Sequence, residues 1–397
     1  MSGKDITYNI RSLIKNNMRS YSMFLMLGLI MVIFGVMTNW INFSPRNLTN
    51  IFFQFSYVLI LAVGMVQVII VKGIDLSVGS VAAFVGALSA MVYNTGAGMV
   101  VTVLAALAIG AAIGAFQGAW VAYAKLPPFI VTLAGMLLFR GLTYIVTNVR
   151  PVSLIDMGYS RFATGILDEA LGLGRIGPYF PMPIIFALVF LTLFFGASII
   201  SRSKKIAHGF GVAPLPLFIV KLTLVAFLFL FMADRFARFR GLPNVVIVLS
   251  VVVFVFHFIL NHTVLGRYIY AVGGNDRSAK LSGINSELVV FTVFCFMGAL
   301  AGLAGVVFTG FMNTALPQAG FLFELDAIAA SYIGGVSAGG GIGSVIGVIV
   351  GGLVMSAINN GMSLMNMGVH HQHVVKALIL LFAVFYDVYT RRKAGLG

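Results

Sequence analysis

Asp75 lies in the stretch VKGIDLSVGS, residues 71–80, between two long apolar runs. An aspartate at the centre of a membrane helix costs about 2.5–3.5 kcal/mol, so such a residue is shielded inside the bundle and often functional. Gly73 can break the helix, which leaves Asp75 and Ser77 to cap the next one, where a carboxylate meets orphan N–H groups and the positive dipole end. The same groups can also form the polar lining of a permeation path. The two readings are compatible, because non-helical backbone at membrane depth is tolerated where protein or a water-filled cavity surrounds it. Asp326, in ELDAIAASYIGGVSAGG, precedes a small-residue helix much as Asp75 does in GIDLSVGSVAAFVGA. That echo fits either an internal repeat, with a site where broken helices meet, or chance. In HHQHVVK, residues 370–376, His370, His371 and His373 lie close together. Three imidazoles can bind a metal, but no acid or cysteine joins them here, which favours polar contacts or interfacial placement. No glycine-rich run is followed by Lys-Ser or Lys-Thr, so the chain has no phosphate loop of its own and any ATP falls to a partner.

The elements that must position these residues are membrane helices. Hydrophobic residues make up 60% of the 397-residue chain and charged residues 9%, too few charges to solvate a soluble protein of this size. Spans of roughly 20 apolar residues are expected near 21–40, 51–71, 78–93, 98–122, 129–147, 182–200, 216–232, 244–260, 288–310, 327–341, 343–361 and 374–389. The third and tenth are short and glycine-rich, so the expected fold is an all-α polytopic membrane protein of about 10–12 transmembrane helices, some short or broken, with a possible internal repeat. Gly110, Gly114 and Gly118 recur on one helix face that invites a close neighbour. The single cysteine, Cys295, excludes an intrachain disulfide framework and is expected to pack.

Charge sets the orientation. The basic start reads as a tail before a retained span, with no cleavable signal peptide. With the N-terminus inside and every segment crossing, inside segments hold Lys4, Arg11, Lys15, Arg19, Lys72, Lys125, Arg202, Lys204, Lys205, Arg267, Arg277, Lys280, Arg391, Arg392 and Lys393. Outside loops hold Arg46, Arg150, Arg161, Arg175, Arg235, Arg238 and Arg240. This bias places both termini in the cytoplasm. The net charge of +14 therefore reflects membrane orientation and lipid contact rather than nucleic-acid binding. Lys221 and Lys376 fall near span ends and are expected to snorkel; Arg140 is an interior or snorkelling charge. The stretch ADRFARFR, 233–240, puts three arginines outside and leaves the crossings around 206–243 open. The expected organisation is a cytoplasmic tail (1–20), one transmembrane domain (21–390) with an external loop at 148–181 and an internal loop at 261–287, and a cytoplasmic tail (391–397).

The internal loop mixes Tyr268, Ile269, Tyr270, Val272, Leu281 and Ile284 with Arg267, Asn275, Asp276, Arg277 and Lys280. SAKLSGI reads as a short amphipathic helix ended by Gly283. Apolar side chains on such a loop call for a docking partner or the bilayer surface.

The segment TVLGRYIYAVGGNDRSAKLSGIN strongly resembles the permeases of monosaccharide ABC importers of the ribose, xylose and galactose class. So do GIDLSVGS at 73–80, PPFIVTLAGMLLFRG at 127–141, ELDAIAASYIGG at 324–335 and GSVIGVIVGGLVMSAINNGMS at 343–363. The resemblance covers nearly the whole chain and is nearest to the xylose and multiple-sugar permeases, which share the longer region around 200–243. It implies a bacterial inner-membrane subunit, a second permease copy as a homodimer, a cytoplasmic ATPase carrying ATP and Mg, and a periplasmic sugar-binding protein. It also implies a coupling segment at 265–284, drawn on Gly266, Arg267, Gly273, Gly274, Asn275, Ala279, Leu281, Ser282 and Gly283. The chain departs from the family at HHQHVVK, where related permeases place aromatic residues and a Trp-Gln-Tyr.

The expected function is translocation of a monosaccharide, xylose or several sugars, by alternating access, with no cofactor on this chain and no catalysis of its own. A neutral polyhydroxyl solute suits small and amide side chains, which makes Gln54, Gln67, Asp75, Ser77, Asn313 and Asp326 the path candidates. Rival readings are an ABC permease for a nucleoside or amino acid, an ion-coupled secondary transporter using Asp75 and Asp326, and a membrane anchor or scaffold.

Overall fold

The computed structural model describes residues 23–212 and 214–393; the expected tail at 1–20 lies outside the described residues, as does all of the expected tail at 391–397 but its first three residues, which continue the last helix. The described chain is almost wholly helical. In order it forms α1 (Met23–Met37), α2 (Pro45–Ile70), α3 (Val78–Val92), α4 (Gly98–Ala122), α5 (Pro128–Thr147), the two-residue β1 (Val152–Ser153), α6 (Gly158–Thr164), α7 (Leu167–Ala170), α8 (Pro181–Ala207), α9 (Leu215–Phe239) and α10 (Asn244–His262). Then follow α11 (Val264–Gly274), α12 (Asp276–Leu281), α13 (Ser286–Met312), β2 (Thr314–Ala315), α14 (Phe323–Ile333), α15 (Val345–Leu364) and α16 (Val369–Lys393).

Two faces are fixed by contacts between distant segments. On the first, β1 pairs antiparallel with β2, Val152 opposite Ala315. On the second, the Gly341 N–H donates to the Ile70 carbonyl at 2.9 Å, beside Gly273. Helices α3 and α4 run antiparallel, joined at the first face by a turn through Gly96 and Gly98, both at positive φ. Their other ends meet where Ser77 contacts Gln117.

Helix α2 is mostly apolar and buried along most of its length, the signature of a central helix. Ser44 caps it, accepting from the Asn47 N–H, and Pro45 occupies its first turn. It therefore begins six residues ahead of the expected 51. Close packing around it rests on small residues, which let backbones approach in a bilayer. A side chain at Gly110, Gly114 or Gly298 would strike backbone of the facing helix in the α4–α13 crossing, so the glycine face read from 110–118 does meet a close neighbour. Cys295 is a half-buried free thiol of the same crossing.

Eight described elements are long and apolar enough to cross a membrane. The tenth expected segment, 327–341, is short and broken, in keeping with its glycine-rich run. Its helix is α14, eleven residues or about 17 Å long, too short for a core of roughly 30 Å. Gly335, Gly340 and Gly341, all at positive φ, end it and carry the chain onward without helix. The region 206–243 contains one long helix, α9, which packs against α8. Helix α9 runs through ADRFARFR, and its end is tied to the 148–181 loop on the first face. Arg240 pairs with Glu169 at 2.9 Å, Arg238 donates to Tyr179, and the Leu242 N–H donates to Asp168.

Candidate functional site

The polar residues at membrane depth gather where two interrupted helices meet. Helix α3 begins after the non-helical segment 73–77 and runs from the second face to the first. Helix α14 begins after the non-helical segment 316–322 and runs the opposite way. Their N-termini touch: a side chain at Gly79 would strike the Gly320 carbonyl, and one at Gly320 would strike the Gly79 carbonyl. The sequence echo between Asp75 and Asp326 is thus two broken helices of opposite direction, each presenting its positive dipole end to the interior.

Asp75 is buried, and its Oδ1 accepts from the Ser77 backbone N–H at 2.8 Å and the Ser77 hydroxyl at 2.7 Å. This is an Asx-type turn across the break. It corrects the expected capping role, since the Ser77 side chain makes no cap bond to α3. The Ser77 hydroxyl also lies 3.0 Å from the side-chain amide of Gln117 on α4. The contact is to Gln117 Oε1, a second acceptor for the one hydroxyl proton, and Gln117 Nε2 is buried without a partner.

Asp326, in the first turn of α14, is held by Lys376 of α16 at 3.1 Å. Lys376 was expected to snorkel; the ion pair corrects that, because a buried carboxylate offers it more than the interface does. Phe323, at the start of α14, packs its ring against Tyr57 and Phe308, with centroids at 4.2 and 4.9 Å. Arg140 of α5 sits over the Phe321 ring at 5.6 Å.

The other path candidates lie elsewhere. Gln67 is fully buried and donates to the Val63 carbonyl within its own helix. Gln54 is half-buried on α2. Asn313 is exposed at the first face, where it ends α13 in the left-handed region and accepts from Ser160. The structure therefore brings Asp75, Ser77 and Asp326 to the helix breaks and leaves Gln54, Gln67 and Asn313 apart. Sequence reasoning passed over Ser80, Gln117 and Glu324, which stand at the same breaks. Glu324 lies two residues before Asp326 in the motif already singled out, so the signal was there.

Beneath this region lies the 261–287 segment. Thr263 caps α11, Asn275 caps α12, and Gly283 follows α12 at φ 81°, the expected C-terminal glycine. Lys280 bridges Asp276 and Glu287, each at 3.1 Å, and these carboxylates push its pKa up. Ile269, Val272 and Ala279 turn inward and are buried, and Tyr270 donates to the Gly343 carbonyl. The expectation that all the apolar residues of this loop face a partner or the bilayer is corrected: the amphipathic α11 spends its apolar side on its own bundle. Arg267, Tyr268, Asn275, Arg277, Leu281 and Ser282 remain exposed, Leu281 by 84%.

Gly266 packs against the Ile259 and Leu260 carbonyls, whereas Gly274 faces open space. Gly273 packs against the Ile70 carbonyl and the Gly341 amide, and Lys72 reaches the Gly274 carbonyl at 3.4 Å. The exposed segment is therefore fastened to the chain just before the break that precedes α3 and inside the non-helical stretch that follows α14. At the first face, the His370 and His371 rings lie 4.2 Å apart and His373 turns toward Phe321. Among the described residues no three groups are placed to hold a metal.

Residues 47–384 match the family described as branched-chain amino acid transport system / permease component. The chain belongs to this permease family. It is 37% identical over 378 residues to the xylose transport system permease protein XylH of Haemophilus influenzae, covering 95% of this chain and 98% of that one. It is 36% identical over 381 residues to XylH of Escherichia coli, covering 95% and 94%, and 35% identical over 370 residues to the ribose import permease protein RbsC of Escherichia coli, covering 93% and 94%. No solved structure matches it. The permease is a multi-pass membrane protein built for transport, and its two interrupted helices place polar groups inside the bundle.

Proposed function

We propose that this chain is the transmembrane permease subunit of an ATP-driven importer that carries a monosaccharide, xylose or several sugars, into a bacterium. A cytoplasmic ATPase binds ATP and Mg, a periplasmic binding protein delivers the sugar, and a second copy of the permease completes the pathway. The chain itself holds no cofactor. The relatives' printed substrates and their coverage of nearly the whole chain support the sugar class. The observation that carries the mechanism is the junction of Ile70, Gly273 and Gly341. A force applied to α11–α12 from outside the membrane acts directly on the chain at both helix breaks.

In this reading the second face is cytoplasmic, as the Lys and Arg bias requires, and the exposed Arg267, Tyr268, Arg277 and Leu281 dock on the ATPase. Closure of the ATPase on ATP moves α11–α12, and α3 and α14 shift with it around the polar groups at their N-termini. The permease needs little affinity of its own, since the binding protein supplies it. The family description names branched-chain amino acids, so import of an amino acid is the second reading that the test must exclude.

The test is uptake of labelled xylose into proteoliposomes holding the permease, its ATPase and its binding protein, wild type beside Gly274→Arg. Gly274 faces open space, so the variant folds while its new side chain obstructs docking. We expect uptake that requires both partners and ATP and falls at least ten-fold in the variant. Uptake that persists without the ATPase and collapses with the ion gradient overturns the reading, and leucine uptake without xylose uptake selects the second one.

A further inference from the structure

Of the three carboxylates near the helix breaks, two are matched in the structure. Asp75 is held by Ser77 and Asp326 by Lys376. Glu324 is different. It is 6% exposed, and its Oε2 is buried without a hydrogen-bond partner. The oxygen lies directly against Gly79, in the first turn of α3.

The neighbouring residue, Ser80, is 1% exposed, and its hydroxyl too has no partner. Ser77 leaves the first-turn amides of α3 without a side-chain cap. A buried polar group without a partner costs about 1–3 kcal/mol, and helix starts normally satisfy their orphan amides. Glu324 Oε2 lies against Gly79, and the next residue of the same helix turn, Ser80, also carries an unmatched hydroxyl.

We propose that Glu324 and Ser80, with the first-turn amides of α3, form a hydroxyl-recognition site on the translocation path. The chemistry fits a neutral polyol. A sugar hydroxyl donates one hydrogen bond and accepts others, so it can give its proton to Glu324 Oε2 and accept from Ser80 or an α3 amide. The positive ends of two helices and the charge of Arg140 act on the carboxylate, and no hydrogen bond engages Oε2, which leaves it free to accept from substrate. Gly79 and Gly320 keep side chains out of the crossing, so a shift of α14 relative to α3 opens the site to a ligand rather than to a protein side chain.

This inference rests on the sugar-importer reading, and the experiment separates the two. Wild type, Glu324→Gln and Ser80→Ala are each reconstituted with the ATPase and the binding protein. Uptake of xylose is compared with uptake of each of its monodeoxy analogues. The binding protein is common to every sample, so a change in the xylose-to-analogue ratio between wild type and variant reports the permease alone. For one analogue, the ratio is expected to fall about ten-fold in Glu324→Gln, the worth of a hydrogen bond to a charged acceptor, and to fall for the same analogue in Ser80→Ala. A purely structural role lowers uptake of all sugars equally. Ratios unchanged in both variants overturn the site. If Glu324→Gln does not assemble with the ATPase on size exclusion, Ser80→Ala, which removes one oxygen, decides alone. Wild type that takes up no xylose in an ATP- and binding-protein-dependent way overturns the importer reading itself.

Discussion

At the scale of the residue, the price of charge inside a bilayer explains most of what the buried polar groups do. Asp326 and Lys376 exchange two costly isolated charges for one pair, Asp326 with a side-chain exposure of 8% and Lys376 of 22%. Removing one partner leaves the other uncompensated. Asp326→Asn is expected to destabilise the purified protein by about 1–3 kcal/mol, less than a fully buried pair because Lys376 keeps some solvent. The exchange Asp326→Lys with Lys376→Asp is expected to restore part of that loss. Thermal unfolding in detergent reads both. A double variant no more stable than the single one would show that the two side chains are not coupled. The acids and their helix-breaking glycine were legible in the sequence because both residue types are rare or disruptive in an apolar run. Their partners were not, since Lys376 is 50 positions away from Asp326 and Gln117 is 40 from Ser77.

At the scale of the element, glycine decides which helices touch. Gly298 on α13 sits against the Gly110 carbonyl and the Gly114 backbone, whereas Gly141 on α5 has nothing near it. Gly298→Val is expected to cost about 3 kcal/mol or more, because it drives backbone apart in a crossing that has no side chain to give way. Gly141→Ala is expected to be neutral or to stabilise by up to about 1 kcal/mol through helix propensity. Comparing the two melting temperatures checks this, and equal effects would mean the crossing is looser than the structure has it. The spacing of Gly110, Gly114 and Gly118 announced a close-packed face, but a repeat of small residues names no partner. That α13 fills it is a property of the assembled bundle.

At the scale of the whole molecule, a motion at the second face must reach the interior. The Ile70–Gly273–Gly341 junction is the connection. Gly273→Ala is expected to lower sugar transported per ATP hydrolysed several-fold in proteoliposomes, because a methyl group there meets the Ile70 carbonyl. Gly274→Ala, in open space, is expected to leave that ratio unchanged. Loss of ATP hydrolysis in Gly273→Ala, with an unchanged ratio, would place the residue in docking instead of transmission. A long-range contact of this kind requires three segments to converge, and no local pattern in any one of them encodes it.

The sequence by itself determined the membrane setting, the helical class, most helix positions, the break at Gly73, the amphipathic α12 with its terminal Gly283, and the family motifs. Each follows from hydropathy, local propensity or a contiguous run of residues. Only the tertiary structure decided that the N-terminus of α14 meets that of α3, that Ile269 and Val272 point inward, and that Lys376 serves Asp326. It alone brought Glu324 and Ser80 to the crossing of α3 and α14. These facts depend on which helix ends meet, and a chain fixes its meetings by packing small faces and matching buried charges over distances that sequence spacing does not record.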